Sequence, residues 1–249
     1  MPLYRRCPRP SAVKVPLGAP YGHSAFVDQH AALAQAVQAL CERPPWCITG
    51  VSALLHDEVG LWLELTKPKH WRTRPDGVVE IGLGAIGGGI ENDENLLACL
   101  ERECLEEIGQ VATPYSAKDT VIVYEERIVR RVRAAASNAP APALLTVSAN
   151  LHGQTWLPEC PTLAIVTYWA RIKRPPERRD LFGLVRVPWA QIELLLIQTA
   201  LPWDALQRYA DTLLVPLREV PQRAAIRPVW TIRSLQLALQ RAAIELGRA

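Results

Sequence analysis

No run of apolar residues in this 249-residue chain reaches the ~18 needed to cross a bilayer as a helix, so no membrane partner is expected. The basic start, Met1-Pro2-Leu3-Tyr4-Arg5-Arg6, is not followed by the apolar core of a secretory signal. Cysteine is sparse. The six cysteines, at 7, 41, 47, 99, 104 and 160, form no C-x-x-C pair, which argues against common zinc spacings and against a disulfide-dense scaffold. Cys99 and Cys104 sit among apolar residues and read as small buried hydrophobes. A reducing compartment, and with it the cytoplasm, is the expectation. A strong net charge is lacking too. At +3 it gives no argument for a nucleic-acid partner.

What is present is enough for a sizeable core. Hydrophobic residues make up 49% of the chain and charged residues 21%, a balance that suits a folded domain rather than disorder. The charge is uneven. Acidic residues gather between Glu91 and Glu107, basic ones at Arg127–Arg133 and Arg171–Arg179. An acidic cluster beside basic surface suits a metal ion and a polyanion, although basic runs are more commonly plain solvated surface.

The pattern along the chain predicts three parts. Residues 1–45 form an N-terminal arm and helix. The arm, residues 1–22, is proline-rich; the helix, over 24–42, carries Leu33, Val37 and Leu40 at helical spacing. Residues 46–200 form the main domain. Ile48–Leu55 and Val59–Leu65 read as a hairpin around His56-Asp57-Glu58, Lys67–Asp76 as a polar loop, and Val78–Ile81 as a short strand. Glycines then crowd positions 82–89, where the backbone must turn sharply or approach something closely. Asp93 is the expected N-cap of a helix ending at Ile108, with Gly109 as its stop. Thr120–Val132, Thr162–Ile172 and Leu181–Val187 read as strands, Ala134–Ala143 as an Ala/Pro-rich loop, and Trp189–Ile197 as a helix opened by Pro188. Residues 201–249 form a C-terminal helical extension, with helices near Trp203–Leu214 and Thr231–Leu246. Strands mixed with helices predict an α/β (α+β) sandwich with a mixed sheet.

The chemistry concentrates in the helix before Gly109. Glu103 and Glu107 are one turn apart on one face, and Glu106 lies one step around. Leu97, Leu100, Cys104 and Ile108 make an apolar stripe beside them, so the carboxylates should sit at the edge of the core. Three like charges so close raise one another's pKa unless compensated. A hard divalent cation compensates them, because Mg²⁺ prefers oxygen ligands and shares its sphere with phosphates. The glycine loop can bring backbone groups to the same ion or phosphate, and Arg102 can fork onto a carboxylate. Taken alone, such an acidic triplet is more often a solvated helix face.

Its surroundings change that. Gly88, Glu94, Arg102-Glu103, Glu106-Glu107 and Gly109 fill every glycine and charged position of G-x5-E-x7-R-E-U-x-E-E-x-G-U, where U is a bulky aliphatic. The chain thus resembles the Nudix hydrolase family. It departs from the pattern at two aliphatic positions, Cys104 and Gln110, and has Ile86 where a proline often precedes the glycines; none of these is a metal-ligand position. The resemblance implies an α/β/α sandwich, a Mg²⁺ (or Mn²⁺) cofactor, and pyrophosphatase chemistry on a nucleoside-diphosphate-linked small molecule. By the same resemblance, Glu103, Glu106 and Glu107, with the Gly88 carbonyl, become the metal ligands. Arg102 becomes the orienting residue, Glu103, Glu106 or a glutamate outside the motif the proton acceptor, and Glu94 and Gly109 structural residues. A homodimer is a further implication.

Substrate recognition is less marked. Trp71, flanked by His70, Arg72 and Arg74, is the candidate base-stacking residue, ahead of Trp156 and Trp169; Arg127 and Tyr124 are further candidates for contact with substrate. For each aromatic taken alone, a core role is commoner. Two alternatives remain: a non-catalytic nucleotide sensor on the same fold, and a hydrolase of RNA 5′ ends.

Overall fold

The structure, a computed structural model, describes residues 21–91, 94–134, 137–150, 160–244 and 246. Asp93, Trp156 and nearly all of the N-terminal arm lie outside the described residues. Two short helices, α1 (Tyr21–Gln29) and α2 (Ala31–Leu40), replace the single helix expected over 24–42. The break falls at His30, whose φ of −130° and ψ of 48° leave the helical region.

The predicted hairpin is β1 (Trp46–His56) and β2 (Gly60–Leu65). Asp57 closes its turn, the carboxylate accepting from the backbone N–H of Val59 at 2.8 Å and of Gly60 at 3.0 Å. After a 3₁₀ turn at Pro68–His70 come β3 (Arg72–Thr73), β4 (Val79–Gly84) and the glycine strand β5 (Ile86–Gly89). Helix α3 (Leu96–Ile108) follows, and then β6 (Thr113–Tyr115). The segment Thr120–Val132 is not one strand. It is a hairpin of β7 (Asp119–Tyr124) and β8 (Ile128–Arg133), turning through Glu125 and Glu126, both at positive φ. Next come β9 (Leu144–Ala149), β10 (Thr162–Arg171), β11 (Gly183–Pro188) and α4 (Trp189–Leu196).

The tail is less helical than expected. It holds β12 (Leu201–Pro202), α5 (Trp203–Tyr209), β13 (Thr212–Leu214), β14 (Ala224–Pro228) and α6 (Trp230–Gln240). Residues 212–214 leave the helix to pair antiparallel with β11, and β14 pairs parallel with β4.

The strands among the described residues join one mixed sheet, ordered β12-β14-β4-β2-β1-β10-β9-β7-β8 along its main path. Its central strands alternate between two apolar cores. In β2, Leu61, Leu63 and Leu65 enter the core beneath α4, α5 and α6, while Trp62 faces the core shared with α1, α2 and α3. In β7, Val121 and Val123 face the first of these cores and Ile122 and Tyr124 the second. Full burial of each such side chain stabilises by roughly 1.5–3 kcal/mol. A mixed α/β sandwich is therefore the architecture. Cys99 and Cys104 are buried and free, but Cys47 and Cys160 are joined as a disulfide, their Cα atoms 6.0 Å apart. This pairing was not anticipated from cysteine spacing. No helix among the described residues is long and apolar enough to cross a membrane.

The sheet forks where the site lies. One edge of β1 pairs at its end with β2, Leu55 opposite Trp62, and earlier with β5, Gly50 opposite Gly89 through Ala53 opposite Ile86. Between these, β2 diverges to pair with β4, Glu64 opposite Gly84.

Candidate active site

A cavity of about 390 Å³ occupies the fork. Its walls are β1 from Thr49 to Ser52, Glu64 on β2, the glycines of β5, Glu107 on α3, and Trp230 and Thr231 at the start of α6. Lys67, Lys69 and His70 line it as well, Lys67 paired with Asp180 at 2.8 Å.

Helix α3 begins at Asn95, whose side chain accepts from the backbone N–H of Leu97 and Ala98, each at 3.0 Å. It ends at Gly109, left-handed at φ 71°. The loop segment 177–180 satisfies its last carbonyls: Glu177, Arg179 and Asp180 donate backbone N–H groups to Ile108, Glu107 and Glu106. This part of the basic Arg171–Arg179 cluster therefore covers the negative end of the helix dipole.

The buried stripe of α3 includes a carboxylate. Glu107 is 9% exposed, beside Leu100, Cys104 and Ile108. Its Oε2 accepts from the Gly87 N–H at 3.0 Å. Burial, then the nearby charge of Glu64, pushes its pKa up to about 9. Glu64 is likewise buried, since it takes the Trp62 side of β2 in a strand that is otherwise apolar. Burial pushes its pKa up to about 7; Lys67 opposes the shift and Glu103 adds to it. Glu103 has a side chain only 12% exposed and is also raised by burial, against the pull of Arg102.

The glycines admit these carboxylates. Gly87 has φ 142°, and a Cβ there would come within 2.2 Å of the Val51 carbonyl. A Cβ on Gly88 would lie 2.3 Å from Glu103 Oε1, so the missing side chain is the space the carboxylate fills.

Arg102 ties the loop to the helix. Its fork grips Glu94, with Nη2 donating to Oε1 at 2.7 Å and Nε to Oε2 at 3.2 Å. It also donates to Glu103 at 2.7 Å, to the Gly89 carbonyl at 2.9 Å and to Glu106 at 3.4 Å. The guanidinium holds Glu94 down to about 2. Glu106 points outward, its side chain 55% exposed.

Glu103, Glu107, Gly88 and Arg102 thus meet at one place, with Glu106 at its rim. The other candidates lie elsewhere. Tyr124 is core, its hydroxyl accepting from the Glu42 N–H at 3.1 Å. Arg127 is exposed in the β7–β8 turn and lines no cavity described here. Trp169 is buried against His56 and Trp189. Trp71 donates its Nε1–H to the Thr66 carbonyl at 2.7 Å and packs edge-on to Phe182. It borders a second cavity of about 300 Å³ that shares Lys69, His70 and Trp230 with the first. Glu64, Lys67 and Trp230 had not been singled out. For Glu64 the signal was there: one charge inside Gly60-Leu61-Trp62-Leu63-Glu64-Leu65, a run too apolar to leave it solvated.

Among the described residues, no three Asp, Glu, His or Cys side chains already converge as a metal-ligand set. The donor chemistry nevertheless fits a hard divalent cation. Glu64, Glu103 and Glu107 are sheltered, electrostatically coupled and raised in pKa, and the backbone beside Glu103 carries no side chain.

No protein-family model matches the sequence, and no curated protein does. Among solved structures, the chain is similar to a NUDIX hydrolase from Nitrosomonas europaea, at 14% identity and a TM-score of 0.36, over 83% of this chain and 99% of that one. It is similar to the MutT protein from Methanosarcina mazei Go1, at 15% identity and a TM-score of 0.34, over 61% and 83%. A bifunctional NMN adenylyltransferase/ADP ribose pyrophosphatase from Francisella tularensis, complexed with AMP and a manganese ion, matches at 12% identity and a TM-score of 0.27, over 67% of this chain and 40% of that one.

Proposed function

We propose that this chain is a divalent-metal-dependent hydrolase of the Nudix type, cleaving a phosphoanhydride in a nucleoside-diphosphate-linked small molecule. The observation that carries the reading is the burial of Glu107 beside Glu64 and Glu103, at the glycines of β5 and in the wall of a cavity that Lys67 and Lys69 also line. Carboxylates held up in pKa by burial are costly without a cation to compensate them. The motif spacing supplies Glu103, Glu107 and Gly88 independently.

Glu103, Glu106 and Glu107, with the Gly88 carbonyl, would hold Mg²⁺ or Mn²⁺. Bound there, the ion would neutralise charge on the phosphate oxygens and lower the pKa of the attacking water. Arg102 orients Glu103 and fastens the glycine strand to α3. Lys69 lines the cavity where phosphate oxygens would lie, and Lys67 would meet them by exchanging its ion pair with Asp180, now at 2.8 Å. Attack on phosphorus needs a proton acceptor. Glu64 lies in the cavity wall outside the motif and joins Glu103 and Glu106 as a candidate for that role, its carboxyl raised by burial to about 7.

The test is phosphate release by the purified protein with Mg²⁺ and with Mn²⁺. The substrates are nucleoside triphosphates, ADP-ribose, nucleotide sugars, NADH, coenzyme A and dinucleoside polyphosphates, with Glu106→Gln and Glu107→Gln run alongside. Metal-dependent turnover of one class, lost in the variants, is the expected outcome. Tight nucleotide binding with no turnover of any compound would instead favour the sensor.

A further inference from the structure

Trp230 is the exposed tryptophan among those described, at 53%, while Trp46 and Trp62 are fully buried. It stands where the two cavities meet and lines both. Its backbone is left-handed at φ 45°, a conformation that costs a bulky residue free energy and persists only when its neighbours impose it. The neighbours do so here. Val229 donates its N–H to the Leu83 carbonyl at 3.0 Å. On the other side, Thr231 Oγ1 lies 3.0 Å from Ser52 Oγ and 3.4 Å from Thr167 Oγ1, and these two lie 2.9 Å apart. This buried triangle of hydroxyls pins the start of α6 to β1 and β10, and Ile232 is buried just beyond. With both flanks fastened, the indole is turned out to the cavity mouth.

There it meets the edge of His70, ring centroids 5.9 Å apart. Its Nε1 has no hydrogen-bond partner among the described residues. The first cavity is also lined by Lys69 and by Lys67, which pairs with Asp180 at 2.8 Å; the second is lined by Arg72 and by Arg227, 3.5 Å from Glu80. A wet aromatic face between an acidic metal-type pocket and these cationic side chains suits one kind of ligand. That ligand is flat and aromatic at one point and anionic next to it, as a nucleobase carrying a diphosphate is.

We propose that Trp230 is the platform on which the base of the substrate stacks, so that the C-terminal segment supplies nucleoside recognition to a site whose charged groups come from α3 and β2. This rests on the hydrolase reading for its ligand class. The experiment therefore measures binding rather than turnover. Full-length protein in Mg²⁺ is titrated calorimetrically with ADP, GDP, UDP and inorganic pyrophosphate. Trp230→Ala should weaken the three nucleotides about tenfold or more, the scale of one base–aromatic stack. It should leave pyrophosphate unchanged, and Trp230→Phe should recover most of the loss. Equal nucleotide affinity in wild type and Trp230→Ala overturns the proposal. So does an equal loss for pyrophosphate, or wild-type protein that binds no nucleotide more tightly than pyrophosphate. Base-dependent binding in a protein that hydrolyses nothing would leave the platform standing and sink the hydrolase. Intact hydrolysis with a neutral Trp230→Ala would do the reverse.

Discussion

On one side of the cavity stand Gly88 and Glu107, with Glu103 packed against Gly88, delivered by a strand and a helix adjacent in sequence. On the other stand Trp230 and Thr231, delivered by a helix near the end of the chain. The first wall is built from local rules: a left-handed glycine, a capped helix and carboxylates one turn apart. The second depends on β14 lying parallel to β4 and on three hydroxyls that meet from β1, β10 and α6. Most groups suited to chemistry thus sit on the local wall, with Glu64 of β2 the exception, and the aromatic group suited to recognition sits on the non-local one.

The sharpest way to break this contrast is Glu107→Gln. If the local wall carries the reaction, turnover should fall by about 10²–10³-fold, the usual scale for removing one electrostatic stabiliser of a transition state, with nucleotide affinity in Trp230-dependent form retained. Steady-state kinetics beside calorimetry decide it, and nearly normal turnover would move the chemistry elsewhere.

Gly88→Ala comes next. Its Cβ would meet the Glu103 carboxylate, the mobile end of a side chain, rather than backbone. The carboxylate should swing aside, so turnover drops about 10²-fold from misplacement while the thermal midpoint barely moves. A large loss of stability would show that the contact is rigid.

Protons separate the walls more gently. In metal-free protein the raised pKa of Glu107, about 9 against an ordinary 4.5, means the folded state binds a proton the unfolded state has released. Its stabilising contribution is complete below pH 4.5 and is lost as pH rises towards 9. The thermal midpoint in EDTA should therefore fall through that window, and Mg²⁺ or Glu107→Gln should flatten the decline. His23 acts in the opposite sense. Burial holds it down to about 4 from 6.5, its Nδ1 accepting from the Ile48 N–H, so its contribution is present above pH 6.5 and lost as pH falls towards 4. A midpoint that rises from pH 7 to 9 without metal would contradict the burial of Glu107.

The smallest effect expected is that of Asn95→Ala. Losing the cap should cost about 1 kcal/mol, a shift of roughly 2–4 °C in the midpoint, with little change in turnover. A cap that mattered to chemistry would show a kinetic loss larger than the thermal one.

Legibility in the sequence follows the same divide. The α3 carboxylates were readable because helical spacing places Glu103 and Glu107 on one face whatever else the chain does. That Glu107 would be deeply buried and Glu106 exposed was not, because it depends on where β5 lies. The β1–β2 hairpin was readable from its two apolar runs. The β7–β8 turn was not, because Glu125 and Glu126 take positive φ with none of the glycine or asparagine that usually signals it. Residues 212–214 look helical beside Trp203–Tyr209, yet they pair with Leu184, Val185 and Arg186. Trp71 drew attention through its cationic neighbours, but packing claims its ring, and only the folded sheet brings Trp230 to the same place.

The fork in the sheet has a further consequence. The opening that holds the site is bounded by strands that share β1 as a common edge, and strands can change partners only in whole residues, with side chains swapping faces at every single step. The site's width is thus set in increments, like teeth on a rack. A descendant of this chain could enlarge the cavity by trimming lining side chains such as Trp230 or His70. Moving its strand walls apart, by contrast, would take a register change of two residues at a time to keep Glu64 on its present face.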